Sequence, residues 1–320
     1  MQLGDLGSAV SDWSQMLSQA IVLRRGDLRR RGPPRARAVA LAGGAARKFS
    51  VRLRGSLFLA AGGLSDELVV DLIHHVGGRK AKVVVLPAAS YAFAATGERY
   101  RRSLRRFGME RAETVEVGTR AAAEDPAVAA QLLAADLLVL GGGDPDLLLG
   151  VVRGTAVEAA LAAALVRGAT VAALGPATEA IGEWHLPAQD RAGEGGSAGP
   201  AGLHRGLGLI PRLLIATGAH AGARVGAIFG AALTAGIQAL ILDQRSTLVV
   251  RPGWQAEVRA GTVLAVGGGA DAPEGGSQRR GGGTAPLGGV YARVAPAGWR
   301  LDLAAHVVLP PGAVLGAERP

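Results

Sequence analysis

The stretch Asp136-Leu137-Leu138-Val139-Leu140-Gly141-Gly142-Gly143-Asp144-Pro145 decides the fold of this 320-residue chain. Leu137 to Leu140 form an unbroken apolar run, which predicts a strand buried on both faces. The glycines and Asp-Pro that follow predict a tight turn at its end. The signature repeats outward in both directions: Ser56–Ala61 runs into Gly62-Gly63, Lys82–Leu86 is closed by Pro87, and Thr170–Leu174 runs into Gly175-Pro176. Between these runs, residues 65–76 place Leu68, Val69, Leu72, Ile73 and Val76 on one helical face. Residues 96–107, 126–134 and the alanine-rich 155–167 also read as helices, and Thr114–Val117 as a short strand. Strands alternating with helices predict an α/β fold: a mostly parallel, doubly wound sheet with right-handed crossovers and helices on both faces. In such sheets chemistry sits at the carboxyl ends of the strands, here the turns at 60–65, 87–92, 140–146 and 174–180.

Beyond this half, residues 189–202 read as an exposed Gly/Ser/Pro loop. Leu213–Ile215, a helix near 221–234 and Ile237–Leu242 continue the alternation. After Gln244 the period shortens to strands at 246–251, 254–259 and 262–266, predicting an antiparallel addition. Residues 267–286 are a Gly-rich connector, and 287–309 predict one last hairpin in which Val290, Ala292 and Val294 alternate. The predicted organisation is a basic arm (1–54), an α/β domain (55–309, with the connector inside it) and a tail (310–320).

Charge locates the arm. The chain carries a net charge of +9, yet residues 24–54 alone hold eleven basic residues against Asp27, or +10. Residues 1–23 contribute −2, so the remaining 266 residues sum to only +1. Only Lys48, Lys80 and Lys82 are lysines, a bias that fits GC-rich coding better than selection for phosphate contacts. The arm therefore reads as a disordered or wrongly extended start, with a short amphipathic helix through Val10, Trp13, Leu17 and Ile21, and nucleic-acid binding is not favoured. Aromatic residues, at 4%, are too scarce for a single-strand stacking platform. The absence of cysteine excludes disulfides, thiolate metal sites and a cysteine nucleophile. No apolar run reaches the roughly 18 residues a membrane span needs. With no convincing export signal, a cytoplasmic location is expected.

Gly141-Gly142-Gly143 lacks the Gly-x-Gly-x-x-Gly spacing of a dinucleotide site, and no Gly-x-x-x-x-Gly-Lys-Ser/Thr loop occurs, so no nucleotide cofactor is predicted. Taken with five other segments, it carries a resemblance. These are Leu59-Ala60-Ala61-Gly62-Gly63, Val83-Val84-Val85-Leu86-Pro87-Ala88-Ala89-Ser90, Gly206-Leu207-Gly208-Leu209-Ile210-Pro211, Ile241-Leu242-Asp243-Gln244 and Trp299-Arg300-Leu301-Asp302-Leu303. Together with Leu140-Gly141-Gly142-Gly143-Asp144, in this order and across about residues 55–308, the chain resembles the cyanophycinase / dipeptidase E family of serine peptidases, of the class I glutamine-amidotransferase-like fold. The resemblance implies hydrolysis of peptide bonds next to aspartate. It also implies a serine on a Gly-Thr-Ser-Ala-Gly-Ala elbow, a histidine in Asp-Gln-His-Phe and an acid in Ile-Asp-Glu. A hydroxyl is a weak nucleophile, so a base must take its proton and a carboxylate must orient that base.

On this chain the elbow falls on Gly175-Pro176-Ala177-Thr178-Glu179-Ala180, with Ala177 at the serine and Glu179 at the following glycine. The histidine segment falls on Ala216-Thr217-Gly218-Ala219, with Gly218 at the histidine, and the third segment keeps Asp243 but has Gln244 for the glutamate. Pro145 replaces a glutamine after Gly142-Gly143-Asp144. Losing the nucleophile or its base costs roughly 10⁶-fold in turnover in subtilisin. A charge at position 179 also opposes the oxyanion that an elbow must stabilise. The expectation is thus a non-catalytic relative that binds or regulates, as a homodimer or paired with an active relative, with an Asp-containing peptide as its ligand. Gly142, Gly143, Asp144 and Arg224 are the ligand-binding candidates, Arg224 through a bidentate carboxylate contact.

Two alternatives stand beside it. An active hydrolase of aspartyl or β-aspartyl peptides would use Thr178 as a shifted nucleophile, His220 as base, and Glu179 or Asp243 as acid. Against this, a one-residue shift around an elbow turns the side chain away from the cleft. Thr178 then reads as a helix N-cap with Glu179 in the first turn, and His220 as a solvated loop residue. The other alternative is polyanion binding through the arm, with strong salt dependence. No metal is predicted: His74 and His75 point about 100° apart on a helix, and His185, His204 and His306 lack ligand spacing and read as surface residues.

Overall fold

The computed structural model describes residues 53–187, 202–235, 237–268 and 290–313. Residues 1–52 of the basic arm, 189–201 of the loop, 269–286 of the Gly-rich connector and 314–320 of the tail therefore lie outside the described residues; Leu53, the first described, is buried.

The parallel half runs β1 (Leu57–Ala60), α1 (Asp66–His75), β2 (Val83–Ala89), α2 (Phe93–Arg106), β3 (Ala112–Thr114), α3 (Arg120–Ala123), α4 (Pro126–Leu133), β4 (Leu137–Gly142), α5 (Pro145–Val152), α6 (Ala156–Arg167) and β5 (Thr170–Leu174). A 3-10 turn, Gly175–Ala180, leads to β6 (Gly182–His185), β7 (His204–Arg205), β8 (Ile210–Thr217), α7 (Gly218–Ala235) and β9 (Gln238–Leu242). The chain continues through β10 (Thr247–Val250), β11 (Gln255–Ala260), β12 (Thr262–Gly268), β13 (Val290–Pro296), β14 (Arg300–Asp302) and β15 (Val307–Leu309).

The strands form two sheets. The larger has nine strands in the order β15-β14-β11-β10-β1-β5-β4-β2-β3. Its β1, β5, β4, β2 and β3 pair in parallel and the rest antiparallel, which is the mostly parallel α/β centre with antiparallel C-terminal strands that the sequence predicts. The smaller sheet has six strands, β13-β12-β9-β8-β6-β7, with β6, β8 and β9 parallel.

Alternate residues divide the core into layers. Phe58, Val83 and Val85 face α1 and α2, in one cluster with Leu68, Leu72 and Leu104. Leu57, Leu59, Val84 and Leu86 face the other way and share a cluster with Leu161 of α6 and with Leu213, Ile215, Leu240 and Val263 of the second sheet. Leu214, Ala216 and Ile241 on that sheet's far side pack on Ile228 and Ala232 of α7. The period of two along β8 thus sends successive residues into different cores.

Local signals account for the helices. Ser65 accepts a bond from Leu68 N at 3.2 Å to start α1, and Asp125 accepts from Ala127 N at 2.8 Å ahead of Pro126 in α4. Several expectations are corrected. Pro87 does not close β2; the strand continues to Ala89 with its register to β4 shifted between Leu86 and Ala89, because proline offers no N–H to the ladder. Residues 287–309 are not one hairpin: β13 joins β12 in the smaller sheet, whereas β14 and β15 complete the larger. Ala292 and Val294 are exposed and Ala295 is buried, so the predicted alternation faces outward. Where the sequence predicts only a turn, Asp144 caps helix α5 and Pro145 stands in its first turn.

His75, edge-on to Phe58 with ring centroids 5.0 Å apart, gives the fold a pH response. Burial, then Arg251 and Arg259, hold its imidazole below the ordinary value of 6.5, opposed by Asp71. The unfolded chain therefore takes up a proton that the folded chain resists; this stability is whole above about pH 6.5 and is lost as pH falls below it. His75→Gln is expected to flatten the fall in urea midpoint between about pH 7 and about pH 5, measured by tryptophan fluorescence. An unchanged slope would remove His75 as the cause.

No single described helix is long and apolar enough to cross a membrane. Only α5 and α6 taken together pass that test, and they are bent by 99°.

Candidate functional site

Parallel pairing brings the carboxyl ends of β1, β5, β4 and β2 side by side, so the turns that the sequence singles out meet at one edge. They meet backbone to backbone. Gly175, at φ +60°, donates its N–H to the carbonyl of Gly62 at 2.8 Å. Gly142, at φ +133°, lies so close to β2 that a Cβ there would fall 2.3 Å from the carbonyl carbon of Ala89. The next two amides, Gly143 and Asp144, both donate to the Ala89 carbonyl at 2.9 Å. The Asp144 carboxylate caps α5, accepting from Asp146 N and Leu147 N at 2.9 and 3.1 Å, and takes the Tyr91 hydroxyl at 3.0 Å. The Gly142-Gly143-Asp144 turn thus directs these polar groups into its own scaffold.

At the elbow the 3-10 turn Gly175–Ala180 puts Ala177 in the core between the two sheets, with no exposed surface. Thr178 is also fully buried; its hydroxyl lies 3.2 Å from the carbonyl of Ala60 and 3.1 Å from that of Ala173, sharing one proton between the ends of β1 and β5. It is not a helix cap, since the turn begins three residues earlier at Gly175.

Glu179 is buried as well. Its Oε1 accepts from Thr217 N at 3.1 Å and from the Thr217 hydroxyl at 2.7 Å, while Oε2 takes Arg224 Nη1 at 3.3 Å. Thr217 ends β8 and Arg224 lies on α7, so an ion pair with side-chain exposures of 1% and 12% joins the elbow to the neighbouring sheet. Of the predicted site residues, these two are brought into direct contact.

Gly218 opens α7 against the β9–β10 connection; a Cβ on it would sit 3.3 Å from both Asp243 Cα and Gln244 N. Asp243 holds that connection, accepting from Arg245 N at 2.8 Å and from Thr262 N at 2.7 Å, and Gln244 is exposed. The backbone of His220 falls in the first turn of α7 and its side chain lies outside the described residues.

One pairing escaped sequence reasoning. His185 is not a surface residue: it is 1% exposed on β6, and its Nε2 lies 2.8 Å from Asp146 Oδ1 at the start of α5. Its Nδ1 is buried with no hydrogen-bond partner among the described residues. The only cue in the sequence is the apolar company of Trp184 and Leu186. No group of three His, Asp or Glu side chains able to hold a metal occurs among the described residues.

Three comparisons bear on this arrangement. Residues 57–174, which contain β1 to β5 and the turns at 60–65, 87–92 and 140–146 but not the elbow, match the model of Peptidase family S51. Cyanophycinases of Trichormus variabilis and of a Nostoc species are each 28% identical over 215 residues, covering 65% of this chain and 72% of theirs. The crystal structure of a peptidase from an acI-B1 Actinobacterium shares the fold, with a TM-score of 0.56 at 18% identity over 79% of this chain and 99% of that one. Over residues 57–174 the chain is thus similar to peptidase family S51, over 215 residues to cyanophycinases, and in its fold to a solved peptidase.

Proposed function

We propose that this chain belongs to peptidase family S51 but does not cleave peptides and acts by binding, as a partner or regulator. The observation that carries the reading is the elbow itself. A methyl group stands at its apex in Ala177, buried in the core, and the neighbouring Thr178 hydroxyl is spent on two backbone carbonyls. The position that would supply the imidazole is Gly218, where a Cβ would lie 3.3 Å from both Asp243 Cα and Gln244 N, close enough that this backbone must give by a few tenths of an ångström. Gln244 stands at the family acid, and Asp243, the shifted candidate for it, is spent on two backbone amides of the β9–β10 turn and of β12. Without nucleophile and base, what remains of such a site is worth about 10³–10⁴ over water, far below a working peptidase.

The test is direct. The purified chain, with Thr178→Ala and His220→Ala alongside, is incubated with cyanophycin, Asp-X dipeptides and β-aspartyl dipeptides. No turnover above buffer is expected from any of the three. Turnover by the parent that both substitutions abolish would overturn the reading in favour of an active hydrolase with a shifted nucleophile. The reading keeps an Asp-containing peptide as ligand, held elsewhere than at Arg224, whose guanidinium is paired with Glu179, a homodimer or an active relative as partner, and the cytoplasm as location. Sedimentation of the chain alone and mixed with an active relative tests the second of these.

A further inference from the structure

We infer that Glu179 is a tethered carboxylate: it fills an anion site built by Thr217 and Arg224, so that this position is closed to free acidic ligands, and removing it opens a site for a small carboxylate. The inference concerns the same turn as the non-catalytic reading but does not depend on it.

Three donors among the described residues converge on the Glu179 carboxylate, and these come from another part of the chain. The Thr217 N–H and hydroxyl end β8, and the Arg224 guanidinium is on α7. The donors and the acid are 38 and 45 residues apart in sequence, so the donors form a cradle that the elbow enters from outside. A buried carboxylate persists only where such donors replace its water, and a cation among them is what makes an anion the preferred occupant.

The fit of the tether is incomplete. Arg224 reaches it through Nη1 alone at 3.3 Å, while its Nε is buried with no hydrogen-bond partner among the described residues. Guanidinium recognises carboxylate best through two parallel bonds. A chain of two methylenes fixed to a 3-10 turn cannot slide to make the second bond. A free carboxylate of acetate size has no such constraint. With the tether in place, the glutamate and arginine charges offset one another and the carboxylate occupies the cradle.

The experiment is chemical rescue. Glu179→Ala leaves the guanidinium buried beside a space of carboxylate size. Sodium acetate is compared with sodium chloride at equal ionic strength, by thermal unfolding of the full chain. Near ten times the acetate dissociation constant, Glu179→Ala is expected to gain about 3–6 °C over chloride. The parent and Glu179→Gln, whose side chains still fill the cradle, should move by less than about 1 °C, as should Glu179→Ala/Arg224→Met. Should Glu179→Ala be recovered only as inclusion bodies, refolding yield becomes the readout, rising with acetate and not with chloride. A response of Glu179→Ala no larger than the parent's, or one retained in the double variant, would overturn the inference. Peptide hydrolysis by the parent would instead count against the non-catalytic reading and leave the acetate result as it stands.

Discussion

Gly142→Ala should lower the melting temperature by roughly 6–12 °C, or prevent folding, while Gly143→Ala, one residue along, should melt within about 2 °C of the parent. The two glycines differ only in where they lie. A Cβ on Gly142 would meet Ala89 at 2.3 Å from its carbonyl carbon, 2.5 Å from its oxygen and 2.7 Å from its Cβ, at a φ of +133° that side chains rarely adopt. None of those neighbours is a flexible side-chain end, so the strain is relieved only by parting β4 from β2. That carbonyl also accepts the Gly143 and Asp144 amides, and displacing it breaks both bonds. Backbone strain of about 1–3 kcal/mol plus two weakened hydrogen bonds takes the cost past about 3 kcal/mol. A Cβ on Gly143 would meet nothing within 4 Å. Thermal unfolding of the two variants decides it. Equal melting points would mean that β2 and β4 are not held as close as described, and the edge that carries the site would need redrawing.

Arg224→Met should cost about 3–5 kcal/mol, because it leaves the Glu179 carboxylate buried with its cation gone. The parent pair is itself weak evidence of stability: taking two charges out of water offsets most of their attraction. The asymmetry between pair and half-pair is what can be measured. Glu179→Gln/Arg224→Met, which removes both charges and keeps an acceptor for Thr217, should recover more than half of the loss. A double-mutant cycle by urea unfolding should therefore return a coupling above about 2 kcal/mol. Coupling below about 0.5 kcal/mol would place the two charges in water and not in the core.

Much of this was legible before any coordinates. The runs at Leu57–Ala60, Val83–Leu86, Leu137–Leu140 and Thr170–Leu174 read as buried parallel strands because both faces are covered, so no polar residue needs to alternate with apolar ones. The α4 start is written in Asp125-Pro126, a cap followed by a residue with no N–H to satisfy. The same signal, Asp144-Pro145, opens α5. The glycines before it hide the signal, because a turn and a helix start share that composition. The C-terminal strands were found but not their partners. Thr262–Gly268 and Val290–Pro296 pair in one sheet and Arg300–Asp302 in the other, and strand partners of this kind are not written in the local apolar period.

By itself, then, the sequence determined the α/β layering, the four turns at one sheet edge, and the residues standing at the elbow, because apolar period, turn glycines and residue identity are local properties of the chain. Only the tertiary structure decided what those residues do. That Thr178 faces two carbonyls, that Glu179 meets Thr217 and Arg224, and that His185 is buried on Asp146 follow from packing two sheets together. Contacts across 38 to 118 residues are set by which surfaces must leave water together, and a linear pattern carries no record of that.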